Sequence, residues 1–439
     1  MVRNLPASLK ELEDWYEEFD RGFPEWYRRL RRRAREIFRE KEERGEPVGR
    51  YGKDFDLLYY SPNLPPAKER LETLEALGEE QKEAVKSIGV DTKEKERLGS
   101  HLQQDTAVTY QKLLAREGIV VETPESAVLH YPWLKEFVHR LVPVDLDKYT
   151  AFCSGFSLGG AFIWVKEGVR ADLPLQACFL LETERLAQLP YILVLAEPHS
   201  KLNILSGCVM NPRCPSALHG SITEIYVGEG AEITFNLVHN FQPGFHVRPK
   251  VGVLVEEGGT YIENYIERGR PESSQLFPTV ILRGRNSRAE LRSFFFGRGS
   301  SDMDIGGGII FTGEGSRGEV VSRSVVTDEA KVRMRGVLKA HARGVRGHLE
   351  CRSILLSEKA EVKAFPNLSS LQPDATLTHE AAVGKIEEEQ LHYLMSRGMS
   401  REEAASAIIR GFLDVARGLP DPLLNWLRGL ISQTAGELL

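Results

Sequence analysis

The chain of 439 residues reads as mainly β, a right-handed parallel β-helix (β-solenoid) over residues 141–384 with α-helical domains at residues 1–140 and 385–439. Three observations predict this. First, a small residue flanked by polar ones and followed one position later by an aliphatic or aromatic residue recurs in HSKL, GAEI, GGTY, RAEL, RGEV, EAKV, KAEV and DATL. Its small members Ser200, Ala231, Gly259, Ala289 and Gly318 stand 31, 28, 30 and 29 residues apart, and Ala330 to Ala360 is again 30, with Ala375 half a period further on. Second, each cycle holds short β-rich segments such as EITFNLVHNF, YIENYIE, ELRSFFFG and EVVSRSVV, which do not suit a helical repeat. Third, the pattern turns helical at both ends. Coils that each touch only their neighbours account for the period and for the many Gly and Ala turn positions. An antiparallel sandwich or jelly roll also suits short strands, but regular spacing favours the solenoid.

Taken in order, residues 1 to about 140 read as mostly helical. Ser8 and Glu11 form a capping box, after which Leu9, Leu12, Trp15, Tyr16 and Phe19 recur on one helix face. The basic run YRRLRRRAREIFREKEERG reads as a solvated helix face. The stretch SPNLPP, residues 61–66, is a break, and EALGEEQKEAVKSIGVDTKEKERLGSHLQQDTAVTYQKLLAREGI returns to charged helix. From Leu141 the composition shifts toward β-branched residues and glycine. The last strands are CRSILL and DATLTHEAAV, between the turn-like clusters SEKAE and NLSSLQPDA. Beyond Gly384, Glu387 to Arg397 forms a helix stopped by Gly398. Ser400 and Glu403 cap a second helix whose apolar face carries Ala405, Ile408, Ile409, Phe412 and Ala416. These helical stretches are expected to cover the two open ends of the solenoid, where bare strand edges invite association.

Composition bounds the function. Hydrophobic content of 41%, charged content of 27% and a net charge of −6 are those of a soluble globular protein and give no support for nucleic-acid binding. The five cysteines are odd in number and scattered, which fits a reducing cytosol. The amino terminus lacks a signal-peptide core and no run approaches 18 apolar residues, so a cytoplasmic protein without a membrane span is expected. No G-x-x-x-x-G-K-[ST] occurs, and the glycine run DIGGGIIF lacks the lysine, so any nucleotide energy comes from outside. A carbohydrate-active β-helix enzyme needs carboxylates clustered along one coil face, whereas the acidic residues here fall mainly at turns and helices.

The residues with chemistry to offer lie at the border of sheet and helical tail: Cys351, His379 and Glu380. A thiolate, an imidazole and a carboxylate together bind iron or an iron–sulfur cluster once deprotonated. The same residues also read as a buried small hydrophobe, a packed histidine and a solvated end-of-strand charge, and no short ligand spacing links them.

The segments LLAREGIVVETPESAVLHYPWLKEFV, LVPVDLDKYTAFCSGFSLGGAFIWVKEGVRADLPLQACF, SGCVMNPRCPSALHGSITEI, NLVHNFQPG, LRGRNS and above all THEAAVGKIEEEQLHYLMSRGMSREEAASAIIRGF make most of the chain resemble the SufB/SufD family of iron–sulfur cluster assembly proteins, closer to SufB. The resemblance implies a scaffold rather than an enzyme, with Cys351 as sulfur acceptor and as ligand, beside His379 and Glu380, of a transient iron–sulfur cluster. It implies a homodimer or a SufB–SufD heterodimer, sulfur from a cysteine desulfurase or sulfur-transfer protein, and an ABC-type ATPase, SufC, docked on the carboxy-terminal helices at Leu391, Tyr393, Ile408 and Phe412. Participation of a flavin is left open. Two departures stand out: Ala360 occupies the place of a second cysteine common in SufB, and the coil around Gly258 and Gly259 lacks an upstream cysteine of some members. Cys208 matches a SufB-like motif and is expected to pack within its coil. VGKI is SufD-like, so a SufD-like structural partner that binds the ATPase without receiving sulfur is the alternative.

Overall fold

The computed structural model describes residues 8–45, 53–62, 68–113, 118–413, 425, 428 and 429. Its body is a parallel β-solenoid. One sheet has ten strands in the order Ala107–Leu113, Gly99–Gln104, Leu175–Leu181, Lys201–Met210, Glu232–Asn240, Thr260–Glu267, Arg288–Gly297, Arg317–Val326, Arg346–Leu355 and Thr376–Gly384. Every pairing in it is parallel except the first hairpin. The second sheet starts with Ile119–Glu122 antiparallel to Gly160–Val165, then runs parallel through Tyr191–Ala196, Ile222–Val227, Lys250–Val255, Thr279–Leu282, Asp302–Phe311, Lys331–Ala340 and Glu361–Ser370. In the early coils the short strands Ala187–Gln188, Ala217–His219, Phe245–Val247 and Ser273–Leu276 form a third ledge, which merges into the first half of Asp302–Phe311. Wide three-strand coils thus give way to narrow two-strand coils toward the carboxy-terminal end.

The thirty-residue period is real, but its markers belong to two corners. Ladder register stacks Ser200, Ala231, Gly259, Ser287, Ser316, Val345 and Ala375, each one residue ahead of its strand. Ala289 and Gly318 lie two places further on, inside their strands, and Ala330 and Ala360 stack at a corner of the other sheet. The spacing survives this mixing because both corners recur once per coil. The core runs up the axis between the sheets, with Phe179, Phe235, Leu291, Phe311, Leu338 and Leu349 all buried.

The amino-terminal helices α1 (Leu9–Phe19) and α2 (Glu25–Glu43) pack with α5 (Lys148–Phe156) on the outer face of the second sheet. Leu12, Tyr16, Phe38, Phe152 and Phe156 cover Leu193 and Ile222 there. The capping box at Ser8 forms in part, the hydroxyl accepting from the Glu11 N–H. The basic run on α2 is not wholly solvated. Arg31 and Arg35 are 1% and 2% exposed because buried Asp20 accepts from Arg31 Nε and Arg35 Nη1, both at 2.8 Å, while the Ser157 carbonyl accepts from Arg31 Nη1, the Gly155 carbonyl from Arg35 Nη1 and Glu17 from Arg35 Nη2.

Two further expectations are corrected. Among the described residues of the stretch read as charged helix, only α3 (Glu79–Lys86) is α-helical, and the chain then makes the antiparallel hairpin of Gly99–Gln104 and Ala107–Leu113. A turn at Asp105, with φ of 55°, and the open first edge of the ten-stranded sheet outweigh the local charge pattern. Between α3 and α5 the described residues also hold α4 (Pro124–His130) and a 3-10 turn at Pro132–Glu136. The tail forms α6 (Glu388–Ser396) and α7 (Arg401–Leu413), but these do not cover the carboxy-terminal end of the solenoid. Ile409 and Leu413 of α7 instead join Val325 and Ile354 on the outer face of the ten-stranded sheet. Among the described residues, Glu361–Ser370 and Thr376–Gly384 are left as terminal strands with no further strand beyond them, and most of their residues are exposed. Ala416 and most of SPNLPP lie outside the described residues. Among the described residues no helix is long and apolar enough to cross a membrane.

Candidate functional site

The bare end determines the surroundings of the three candidate residues. Along Arg346–Leu355 successive side chains alternate faces. Leu349 and Cys351 point into the core, while Glu350 and Arg352 point outward. Cys351 is 0% exposed, stacked between Ser322 of the preceding coil and Ala381 of the terminal strand. Burial, and secondarily the Glu350 carboxylate, push its thiol up to about 12. A single strand, Thr376–Gly384, separates it from the open end.

That strand carries the other two residues. His379 is in register with Leu349 and so shares the inward face, yet it is exposed because no coil lies beyond it. Glu380 is in register with Glu350 on the outward face, where it accepts from Arg352 Nη2 at 2.8 Å. Arg323 Nε in turn donates to Glu350 at 2.7 Å. An adjacent His-Glu pair on a strand must point to opposite faces. One chain therefore brings Cys351 and His379 to the same inward side and holds Glu380 across the strand in a charged ladder with Arg352, Glu350 and Arg323. These ladder partners escaped the sequence reading, although the coil period, applied to charged positions, pairs Arg323 with Arg352 and Glu350 with Glu380.

The four tail residues divide. Leu391 is 4% exposed and sits between α6 and α7 with Ala404 and Ala405. Ile408 is half-buried in the same contact, and Phe412 is half-buried with the Arg323 guanidinium 5.6 Å from its ring centroid. Only Tyr393, 58% exposed, faces outward, in the company of exposed Met395 and Met399. A single helix face does not present all four, because the helical hairpin uses its apolar stripe to bind itself and the sheet.

Residues 179–412 match the family described as SUF system FeS cluster assembly, SufBD core domain. The chain is 38% identical to an iron–sulfur cluster assembly SufBD family protein of Methanothermobacter thermautotrophicus, over 89% of this chain and 96% of that one. It is 36% identical to another from Archaeoglobus fulgidus, over 82% and 96%, and 28% identical to one from Staphylococcus haemolyticus, over 89% and 85%. With a parallel solenoid underlying the matched region and relatives aligned along nearly their whole length, the chain belongs to the SufBD family of iron–sulfur cluster assembly proteins.

Proposed function

We propose that this chain is a scaffold subunit for iron–sulfur cluster assembly, which receives sulfur at Cys351 and builds the cluster, its cargo, on Cys351, His379 and Glu380 at a dimer interface formed by the open end of the solenoid. The observation that carries this reading is the end itself. Two terminal strands expose unpaired N–H and C=O groups, an arrangement that seeks another strand. All three candidate residues lie on the last two strands of that sheet. A two-fold contact there duplicates the ligand set, which one chain alone leaves short of thiolates for an inert, closed cluster. Mixed thiolate, imidazole and carboxylate ligation suits a cluster that is to be handed on. Sulfur comes from a cysteine desulfurase or sulfur-transfer protein, and ATP is hydrolysed by a SufC-type ABC ATPase seated on α6 and α7, where exposed Tyr393, Met395 and Met399 supply the apolar contact.

A second reading, a SufD-like subunit that binds the ATPase without receiving sulfur, is favoured by the burial of the Cys351 thiol in the single chain. Anaerobic reconstitution with iron and sulfide, followed by absorption and Mössbauer spectroscopy, separates the two. The scaffold reading expects a cluster in the unaltered chain and its loss in Cys351→Ser. A normal cluster in a folded Cys351→Ser chain refutes it.

A further inference from the structure

Inside the solenoid, well away from the open end, lies a second group of metal-ligating side chains. Cys208 and His239 are in register on adjacent strands, and His219 faces them from the short third ledge. All three are buried, at 2%, 0% and 0% exposure, and the Cys208 sulfur and one ring nitrogen of each imidazole lie within 4.8 Å of one another. Four strands stand between Lys201–Met210 and Arg346–Leu355, five strand spacings or roughly 24 Å, so this group is distinct from Cys351.

The hydrogen bonds around the rings determine which nitrogen is free. Gln188 Nε2 donates to the carbonyls of Asp105 and Leu180, so its Oε1 is turned to accept from His219 Nδ1–H at 3.0 Å. Tyr265 donates its hydroxyl proton to Glu267 at 3.0 Å and therefore accepts from His239 Nδ1–H at 3.2 Å. Each imidazole is thus held with its Nε2 lone pair bare, and neither Nε2 has a hydrogen-bond partner. Two orphaned acceptors inside a protein core are costly, and buried polar atoms are normally satisfied. The two rings stand beside a thiol, one nitrogen of each within 4.8 Å of the Cys208 sulfur, and the Nδ1–H of each ring is anchored, by an amide on one side and by a tyrosine–carboxylate pair on the other. That is the outer shell that orients histidine ligands on a metal.

We propose that Cys208, His219 and His239 form a resident site for one borderline divalent transition-metal ion, of the zinc(II) or iron(II) class, inside the solenoid. One thiolate and two imidazoles suit such an ion. In tetrahedral coordination the ligand atoms stand about 3.3–3.6 Å apart, so the trio closes by about 1 Å around the metal. Uptake releases the Cys208 thiol proton to solvent, and both imidazoles bind as neutral ligands. The ring of Phe241 walls the site, its centroid 5.5 Å from that of His219 and 5.8 Å from that of His239, and so close a wall leaves room beside the three ligands for a small one such as water. The role is structural: the ion ties two adjacent coils of one sheet to the third ledge.

The test uses the full chain carrying Cys351→Ser, so that metal at the open end does not contribute, with no polyhistidine tag. Elemental analysis by plasma mass spectrometry is expected to find about one zinc or iron per chain, retained through chelator dialysis and released on unfolding. Refolding with cobalt(II) is expected to give a thiolate-to-cobalt absorption band in the near ultraviolet. Cys208→Ala and His239→Asn, each checked by circular dichroism, should lose both signals. Should either variant fail to fold, the cobalt spectrum of the Cys351→Ser chain decides. Less than about a tenth of an equivalent of zinc, iron or cobalt in that folded chain, before and after refolding with metal, overturns the proposal and leaves the pocket to a bridging water. Undiminished metal in a folded Cys208→Ala chain overturns it equally.

Discussion

Cys351 should react slowly in the single chain and faster when its covering strand is loosened. Burial raises the thiol from 9.0 to about 12, which near neutral pH lowers the thiolate fraction about a thousandfold. A more basic thiolate is a better nucleophile, and with a Brønsted slope of about 0.45 this recovers about twentyfold. The net expectation is a reaction with an aromatic disulfide about 50-fold slower than that of an exposed cysteine, before any steric exclusion by Thr376–Gly384 is counted. The assay is time-resolved reaction with 4,4′-dithiodipyridine followed by peptide mapping, because Cys153, Cys178, Cys208 and Cys214 are buried as well. Leu377 packs on the core from the terminal strand, so Leu377→Ala should loosen that strand and raise the Cys351 rate severalfold, leaving the other four cysteines unchanged. Modification of Cys351 in the unaltered single chain as fast as a cysteine in a short peptide would refute the reasoning, and with it the idea that sulfur acceptance requires the terminal strand to move.

Other consequences follow from the interior and the tail. Glu263 is buried, with Tyr261 Oη donating to it at 2.6 Å, and its carboxyl is raised from 4.5 to about 7 by desolvation. The folded state therefore holds a proton that the unfolded state releases, and stability falls as pH rises from about 4.5 through about 7; Glu263→Gln should gain about 3 kcal/mol at pH 8 and almost nothing at pH 4, read by urea unfolding at both. Asp20→Ala strands the buried guanidinium groups of Arg31 and Arg35 and should cost about 3–5 kcal/mol, seen as a lowered denaturation midpoint. Leu391→Ala should destabilise the α6–α7 hairpin by about 2–5 kcal/mol. Tyr393→Ala, at an exposed position, should leave thermal unfolding unchanged and weaken co-purification with the ATPase. Equal effects of those two on unfolding would remove Tyr393 from the docking surface.

The solenoid was legible because each coil repeats the same steric problem. A tight corner before each strand favours a small residue, so Ser200, Ala231 and Gly259 mark the period from local chemistry, while Ala289 and Gly318 keep the count from two places inside their strands. The family signal in the tail and the identity of Cys351, His379 and Glu380 as candidates were likewise written in the chain. Local pattern failed where a distant element supplied the partner. Arg31 and Arg35 look solvated until Asp20 and the carbonyls near Ser157 arrive, and Gly99–Leu113 looks helical until an open sheet edge offers it a ladder. The sequence by itself determined the repeat, the coil length and the kinds of ligand present. Only the tertiary structure decided which corners stack, that α7 lies on a sheet face instead of over the open end, and that Cys351 is sealed beneath one strand while Glu380 is turned away from it. It also decided that Cys208, His219 and His239, 11 and 20 residues apart along the chain, meet across two coils. Register and face depend on contacts between residues about thirty positions apart, and a short-range pattern carries no record of these.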